Sequence, residues 1–170
     1  AIAPFCRRVI AVDVSDAMLA VIHAKAASAG VTNVEPVHAG FLSYEHHGPP
    51  VNVVYSRNAL HHLPDFWKVI ALHRIANMLT PGGVFLLHDL IYDFHPRQAD
   101  EFVEAWLANA QPTPDLGWTR EELETHLREE YSTFSWLLEP MLDRAGFDVR
   151  QAPTRPSRIY GTYVCIKRRV

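Results

Sequence analysis

Short apolar runs alternate with helical segments through the first half of the chain. Residues 8–14 (RVIAVDV), 51–56 (VNVVYS) and 84–88 (VFLLH) are bounded by polar or turn residues and have the composition of buried strands. A weaker strand pattern covers residues 31–38. Strands that are apolar along their whole length, separated by helices, indicate a parallel sheet with helices on both faces. This alternation restricts the chain to the α/β class.

Local signals set the bounds of the helices between these strands. Ser15 is placed to cap a helix, and Gly30 is placed to end it. Apolar residues then recur at helical spacing over residues 66–79. The sequence Pro81-Gly82-Gly83 predicts a tight turn before the strand at 84–88.

The pattern changes after Asp93. Residues 94–145 carry helical signals and no clear strand, and Thr119-Arg120-Glu121-Glu122 matches a capping box. Residues 147–151 and 159–167 are predicted strands, and the short link between them, with Pro153 and Pro156, makes them antiparallel. We therefore predict one domain over residues 1–170: a doubly wound, mostly parallel sheet with a reversed C-terminal strand and a helical insertion.

Composition narrows the range of partners. The chain has 170 residues and a net charge of −3, which argues against nucleic-acid binding, and its apolar stretches are too short to span a membrane. Two cysteines, Cys6 and Cys165, give no disulfide framework, so we expect a cytoplasmic protein. No group of His, Cys, Asp or Glu has the sequence spacing of a zinc or iron site, so we predict no metal. The oligomeric state stays open.

The expected ligand site lies beyond the carboxyl ends of the strands, as in other open α/β sheets. Asp13 stands at such a position. A carboxylate there can accept hydrogen bonds from both hydroxyls of a ribose. Equally, Asp13 could do no more than cap the following helix, and spacing alone leaves the two interpretations level.

Three segments resemble motifs of one enzyme family. Residues 9–19 (VIAVDVSDAML) are similar to the second-strand motif of class I S-adenosylmethionine-dependent methyltransferases. Residues 55–63 (YSRNALHHL) resemble their fourth-strand motif, and residues 79–85 (LTPGGVF) the turn into their fifth strand. The C-terminal antiparallel pair resembles their reversed last strand. The likeness is closest to the branch that acts on small molecules, and it implies S-adenosylmethionine as cofactor and a small organic methyl acceptor.

The resemblance also implies the cofactor contacts. They are Asp13 on the ribose, Val14 and Met18 beside the adenine, Gly40 and Phe41 at the adenine edge, and Ser56, Arg57 and Asn58 under the methionine end. Two departures stand out. Many relatives carry an acid where this chain has Gly40, and none of the eight glycines forms G-x-G. We therefore expect the family's first strand and its glycine-rich loop to be absent, leaving the domain N-terminally incomplete, with weak cofactor binding and little activity.

Histidines supply the candidate catalytic groups. By the resemblance His61 points into the acceptor pocket, while its neighbour His62 is expected to face elsewhere. His88, at the end of a strand, is a second candidate base for a hydroxyl acceptor. The alternative for His88 is a hydrogen bond to a neighbouring loop. The insertion at 94–145 is predicted to cover the acceptor site, although its acidic residues also fit a solvated helix.

The leading hypothesis is therefore a methyltransferase for small organic acceptors. A nicotinamide-dependent oxidoreductase is the second, because Asp13 would also suit the ribose of a dinucleotide. A non-catalytic binding domain with a methyltransferase-like fold is the third. It stays open because the glycine-rich loop is missing.

Overall fold

The computed structural model describes residues 2–151 and 158–169, so the predicted loop at Pro153 and Pro156 lies outside the described residues. The strands and helices are, in chain order, β1 (Val9–Asp13), α1 (Asp16–Ser28), β2 (Val34–His38), β3 (Val51–Arg57), α2 (Asp65–Met78), β4 (Leu79–Tyr92), α3 (Ala99–Leu107), α4 (Arg120–Glu129), β5 (Thr133–Phe134), α5 (Ser135–Arg144), β6 (Phe147–Gln151) and β7 (Tyr160–Lys167). The chain divides into two compact units, residues 1–47 and 48–170.

The first unit is a β-α-β motif. Strands β1 and β2 pair in parallel, from Val9 opposite Val34 to Asp13 opposite His38. Helix α1 connects them, and its first turn is capped by Ser15, whose Oγ accepts the N–H of Met18 at 3.3 Å. This hydrogen bond confirms the predicted cap. The cap could be predicted from sequence because it involves only residues close together along the chain.

The second unit contains a mixed sheet in the order β3-β4-β7-β6. Strands β3 and β4 are parallel, whereas β7 runs antiparallel to both β4 and β6. This reversed last strand confirms the predicted α/β fold. Buried apolar side chains from the sheet and its helices form the core, among them Leu72, Phe85, Leu87, Leu138, Leu142 and Phe147.

Two details of the second unit differ from the prediction. Strand β4 begins at Leu79, and Pro81-Gly82-Gly83 lies inside it as a bulge rather than before it as a turn. Gly82 has φ +79°, and a Cβ on Gly83 would lie 2.8 Å from the carbonyl oxygen of Thr80, so the bulge requires both glycines. The insertion also contains a strand, because Thr133–Phe134 pairs with the end of β4.

The helices of the insertion share an apolar cluster with residues of the sheet and of the segment before β7. Its buried members are Leu90, Phe94, Trp106, Leu107, Leu123 and Ile159. The predicted capping box is present at the start of α4, where Thr119 accepts the N–H of Glu122 and the Glu122 carboxylate accepts the N–H of Thr119. Among the described residues, no helix combines the length and the apolar character needed to cross a membrane.

Candidate functional site

Asp13 lies at the carboxyl end of β1, where the prediction placed it. Its Oδ1 accepts the N–H of Ser15 at 2.8 Å, so Asp13 does support the start of α1. The residue that caps the helix is Ser15. Among the described residues, the second carboxylate oxygen of Asp13, Oδ2, accepts no N–H of the helix. Beside it, Val14 is 69% and Met18 50% exposed. The structure therefore shows the helix-supporting bond of Asp13, and its role as the ribose ligand stays a prediction.

Gly40 closes the same end of the first unit. The N–H of Ala39 donates to the carbonyl of Asp13 at 3.1 Å, which brings the end of β2 beside the end of β1. A Cβ on Gly40 would lie 2.9 Å from Cγ1 of Val14, so the absence of a side chain lets these segments approach closely. Phe41 follows in a turn and is partly buried. The structure thus brings Asp13, Val14 and Gly40 together.

Ser56, Arg57 and Asn58 follow one another at the end of β3 in the second unit. Ser56 is 7% exposed, and its Oγ is buried without a hydrogen-bond partner among the described residues. Asn58 has φ +49°, and its N–H donates to the carbonyl of His88 at 2.8 Å. A buried hydroxyl that lacks a partner is costly, and it marks a place where a ligand could bond.

His61 lies in a short 3₁₀ turn, Leu60–His62, directly after this segment. Its ring is 6% exposed, and its Nδ1 donates a hydrogen bond to Oδ1 of Asp89. Its Nε2 lies 2.8 Å from Oε2 of Glu130. The imidazole is therefore held between two carboxylates.

Asp89 lies on β4 and is 1% exposed. Its Oδ2 accepts the N–H groups of Ala59 and Leu60 at 3.2 and 2.7 Å, and its Oδ1 accepts that of Leu90 at 2.8 Å. Burial alone would raise the pKa of Asp89. The hydrogen bond and charge of His61, together with the backbone N–H groups, outweigh burial and lower that pKa below its ordinary value. The carboxylate is therefore ionised near neutral pH and orients His61.

Glu130 comes from the insertion at 94–145, and sequence spacing does not connect it to His61 or Asp89. Besides His61, the Nδ1 atoms of His62 and His126 approach its Oε2, at 3.4 and 2.8 Å. His126 also contacts Oγ of Ser132 at 2.8 Å through Nε2, and burial lowers its pKa despite the attraction of Glu130. The expectation that His61 and His62 face different ways holds for their exposure to solvent, since the side chain of His61 is 6% exposed and that of His62 is 59% exposed. It is wrong for direction, since both rings reach Glu130.

His88 is occupied within the sheet. Its Nδ1 lies 2.8 Å from Oγ1 of Thr162, the residue opposite it on β7, and its ring stacks on Tyr160 at 5.9 Å. Its partner is therefore a neighbouring strand rather than the loop that the alternative supposed. A catalytic role for His88 stays a prediction, and His61 is the stronger candidate.

Residues 1–83 match the family model described as a methyltransferase domain. No curated protein matches the chain. The predicted resemblance to class I S-adenosylmethionine-dependent methyltransferases is confirmed.

Solved structures share the fold over nearly the whole chain. The [4+2]-cyclase SpnF has a TM-score of 0.69 at 12% identity, covering 95% of this chain and 66% of its own. Magnesium protoporphyrin IX methyltransferase (ChlM) from Synechocystis PCC 6803, solved with bound SAH, has a TM-score of 0.66 at 12% identity. The match covers 97% of this chain and 66% of ChlM. Mitomycin 7-O-methyltransferase MmcR has a TM-score of 0.65 at 16% identity. The match covers 94% of this chain and 42% of MmcR. This chain thus carries the class I methyltransferase fold and spans less than two thirds of these three proteins.

Proposed function

We propose that this protein transfers a methyl group from S-adenosylmethionine to a hydroxyl oxygen of a small organic molecule. The observation that carries the proposal is the buried His61, oriented by the ionised Asp89. S-adenosylmethionine supplies a methyl group already activated on a sulfonium. The protein's part is to align the acceptor, exclude water and remove the hydroxyl proton.

Each of the two units carries residues whose chemistry suits a part of the cofactor. Asp13 offers a carboxylate oxygen to the ribose, with the exposed apolar side chains of Val14 and Met18 next to it. Ser56 offers a buried hydroxyl that has no other partner among the described residues, and it suits the polar methionine end. In this proposal Arg57 and Asn58 contribute to the same methionine end, and Gly40 and Phe41 to the adenine edge.

Removal of the acceptor proton falls to His61 and Glu130. Glu130 is 29% exposed, so it is the member of the Asp89–His61–Glu130 series that an acceptor reaches first. The hydroxyl gives its proton to the Glu130 carboxylate as its oxygen takes the methyl group and the sulfonium carbon–sulfur bond breaks. Oε2 of Glu130 then passes the proton to Nε2 of His61, which can accept it because the Nδ1–H is held by Asp89. Asp89 then stabilises the imidazolium that forms, as a buried carboxylate beside a catalytic imidazole does in other enzymes.

The fold alone does not select this reaction, since one fold hosts many chemistries and one of the similar structures is a cyclase. A hydroxyl acceptor is favoured because a positioned base serves it directly, and because a similar structure is an O-methyltransferase. Titration with S-adenosylmethionine, its demethylated product and NAD separates this proposal from the oxidoreductase and from a binding domain. Binding of NAD alone would contradict it.

The direct test uses S-adenosylmethionine with an isotopically labelled methyl group and a panel of small phenols, alcohols, amines and thiols. We expect label on phenolic or alcoholic oxygen. His61→Gln should lower kcat by about 10²–10⁴-fold, the usual contribution of a general base, with little change in cofactor affinity. The matched control is His73→Gln, an exposed histidine on α2, which should keep wild-type turnover.

Two results would overturn the proposal. One is wild-type turnover in His61→Gln. The other is labelling confined to amines or thiols, or no labelling of any compound by a protein that binds S-adenosylmethionine.

A further inference from the structure

Three side-chain atoms near His61 converge in a way that the proposed reaction does not require. One ring nitrogen each from His61 and His62 and a carboxylate oxygen of Glu130 lie within 4.8 Å of one another. The nitrogens are 2.8 and 3.4 Å from Oε2 of Glu130. Ligands about 2.0–2.2 Å from a shared tetrahedral ion lie roughly 3.3–3.6 Å apart. The His62–Glu130 separation of 3.4 Å falls in that range, whereas the His61–Glu130 separation of 2.8 Å is shorter, so the side chains would move slightly apart around a shared small cation.

The hydrogen bonding of Glu130 points the same way. Its Oε2 is buried, yet none of the neighbouring nitrogens donates to it with hydrogen-bond geometry. A neutral imidazole has one N–H, and that of His61 is given to Asp89 at Nδ1. Its Nε2 thus presents a lone pair to a carboxylate oxygen 2.8 Å away. Two such groups repel each other unless a proton or a metal cation lies between them.

The backbone that carries these ligands is held in place. The N–H of Tyr131 donates to the carbonyl of His61 at 2.9 Å, and the carbonyl of Tyr131 accepts a hydrogen bond from the buried Lys68. Glu130 precedes Tyr131, so its position relative to His61 is set by main-chain contacts. A rigid ligand set favours metal binding because little ordering remains to be done on binding.

The surroundings also match those of known metal sites. A metal-bound histidine commonly donates its other N–H to a carboxylate, which sets its tautomer and orientation, and Asp89 does this for His61. A third imidazole, that of His126, also lies close to the carboxylate, with its Nδ1 2.8 Å from Oε2 of Glu130. Two imidazoles and one carboxylate suit zinc and its neighbours, whereas Mg²⁺ and Ca²⁺ prefer oxygen ligands alone.

We propose that His61, His62 and Glu130 form a binding site for a divalent transition-metal ion of the zinc class, with one coordination position left open. The site is not found by sequence spacing, because Glu130 comes from the end of α4 whereas the histidines precede α2. Metal binding and the proposed base role both use Nε2 of His61, so they exclude each other in one molecule. The site is therefore tested without substrate and does not depend on the proposed function.

The test is a titration of the full chain with Co²⁺ and Zn²⁺ alone. Co²⁺ reports its geometry by its visible absorption, and Zn²⁺ binding is measured by calorimetry and by displacement of Co²⁺. We expect one ion per chain and the intense absorption of four-coordinate Co²⁺. His62→Asn and Glu130→Gln should each weaken binding at least tenfold. His62 is 59% exposed, so its replacement is compatible with folding.

The control is His73→Gln, which removes an exposed histidine outside the group and should leave binding unchanged. Circular dichroism identifies any variant that fails to fold, and His62→Asn then decides the outcome. The proposal is overturned by the absence of saturable binding, or by binding that His62→Asn and Glu130→Gln leave intact. The second result would assign the ion to other histidines.

Discussion

Replacing Asp89 by asparagine tests how strongly one buried carboxylate holds this part of the fold. Each carboxylate oxygen serves two donors, Oδ2 the N–H groups of Ala59 and Leu60, and Oδ1 those of His61 and Leu90. An asparagine keeps one oxygen and replaces the other by an NH₂ group, which cannot accept. One pair of buried donors therefore loses its acceptor in either orientation of the amide.

The magnitude follows from those two lost bonds. A hydrogen bond to a charged group contributes about 1.5–3 kcal/mol, and breaking a buried charged pair costs about 3–5 kcal/mol. We therefore expect Asp89→Asn to lower the free energy of unfolding by about 3–5 kcal/mol. This is a large part of the 5–15 kcal/mol that is typical of a domain.

Urea denaturation followed by circular dichroism measures this loss. With a slope of about 2 kcal/mol/M, the midpoint should fall by about 1.5–2.5 M. The matched control is Asp115→Asn, an exposed aspartate in the same unit, which should change the free energy of unfolding by less than about 0.5 kcal/mol. An Asp89→Asn midpoint within error of the wild type would refute the reasoning, since it would mean that the backbone donors do not depend on the carboxylate.

Three smaller predictions test separate features. Asp13→Ala should weaken S-adenosylmethionine binding about 10–100-fold by calorimetry, because charge-assisted bonds to the ribose are lost, whereas Asp16→Ala at an exposed position should not. Thr119→Ala should lower the free energy of unfolding by about 0.5–2 kcal/mol in urea, since it removes the capping box of α4. Burial raises the pKa of the Cys165 thiol to about 12, so a thiol reagent at pH 8 should label Cys6 alone in the native chain and both cysteines in urea.

The sequence predicted the features that depend on neighbouring residues. The cap at Ser15 and the capping box at Thr119 involve donors and acceptors within three residues, so a local pattern is enough to find them. The order of strands followed from the same local patterns, read one after another.

Features that depend on long-range contacts were missed or misjudged. His61 and Asp89 are 28 residues apart, and no spacing rule connects them to Glu130. Pro81-Gly82-Gly83 has the composition of a turn, yet in the sheet it forms a bulge, because β3 pairs with residues on both sides of it. Strand β5 has only two residues, too few for an alternating pattern to be visible.

The contacts of Asp89 have a consequence for relatives that change or lose their reaction. The side chain that orients His61 also anchors the peptide groups of Ala59 and Leu60, so selection for folding alone would retain it. The ring of His61, by contrast, contacts the carboxylates of Asp89 and Glu130 and anchors no peptide group among the described residues. An aspartate at this position in a related protein is therefore poor evidence of activity, and the presence or loss of the histidine is the informative difference between an enzyme and a descendant that has kept only its architecture.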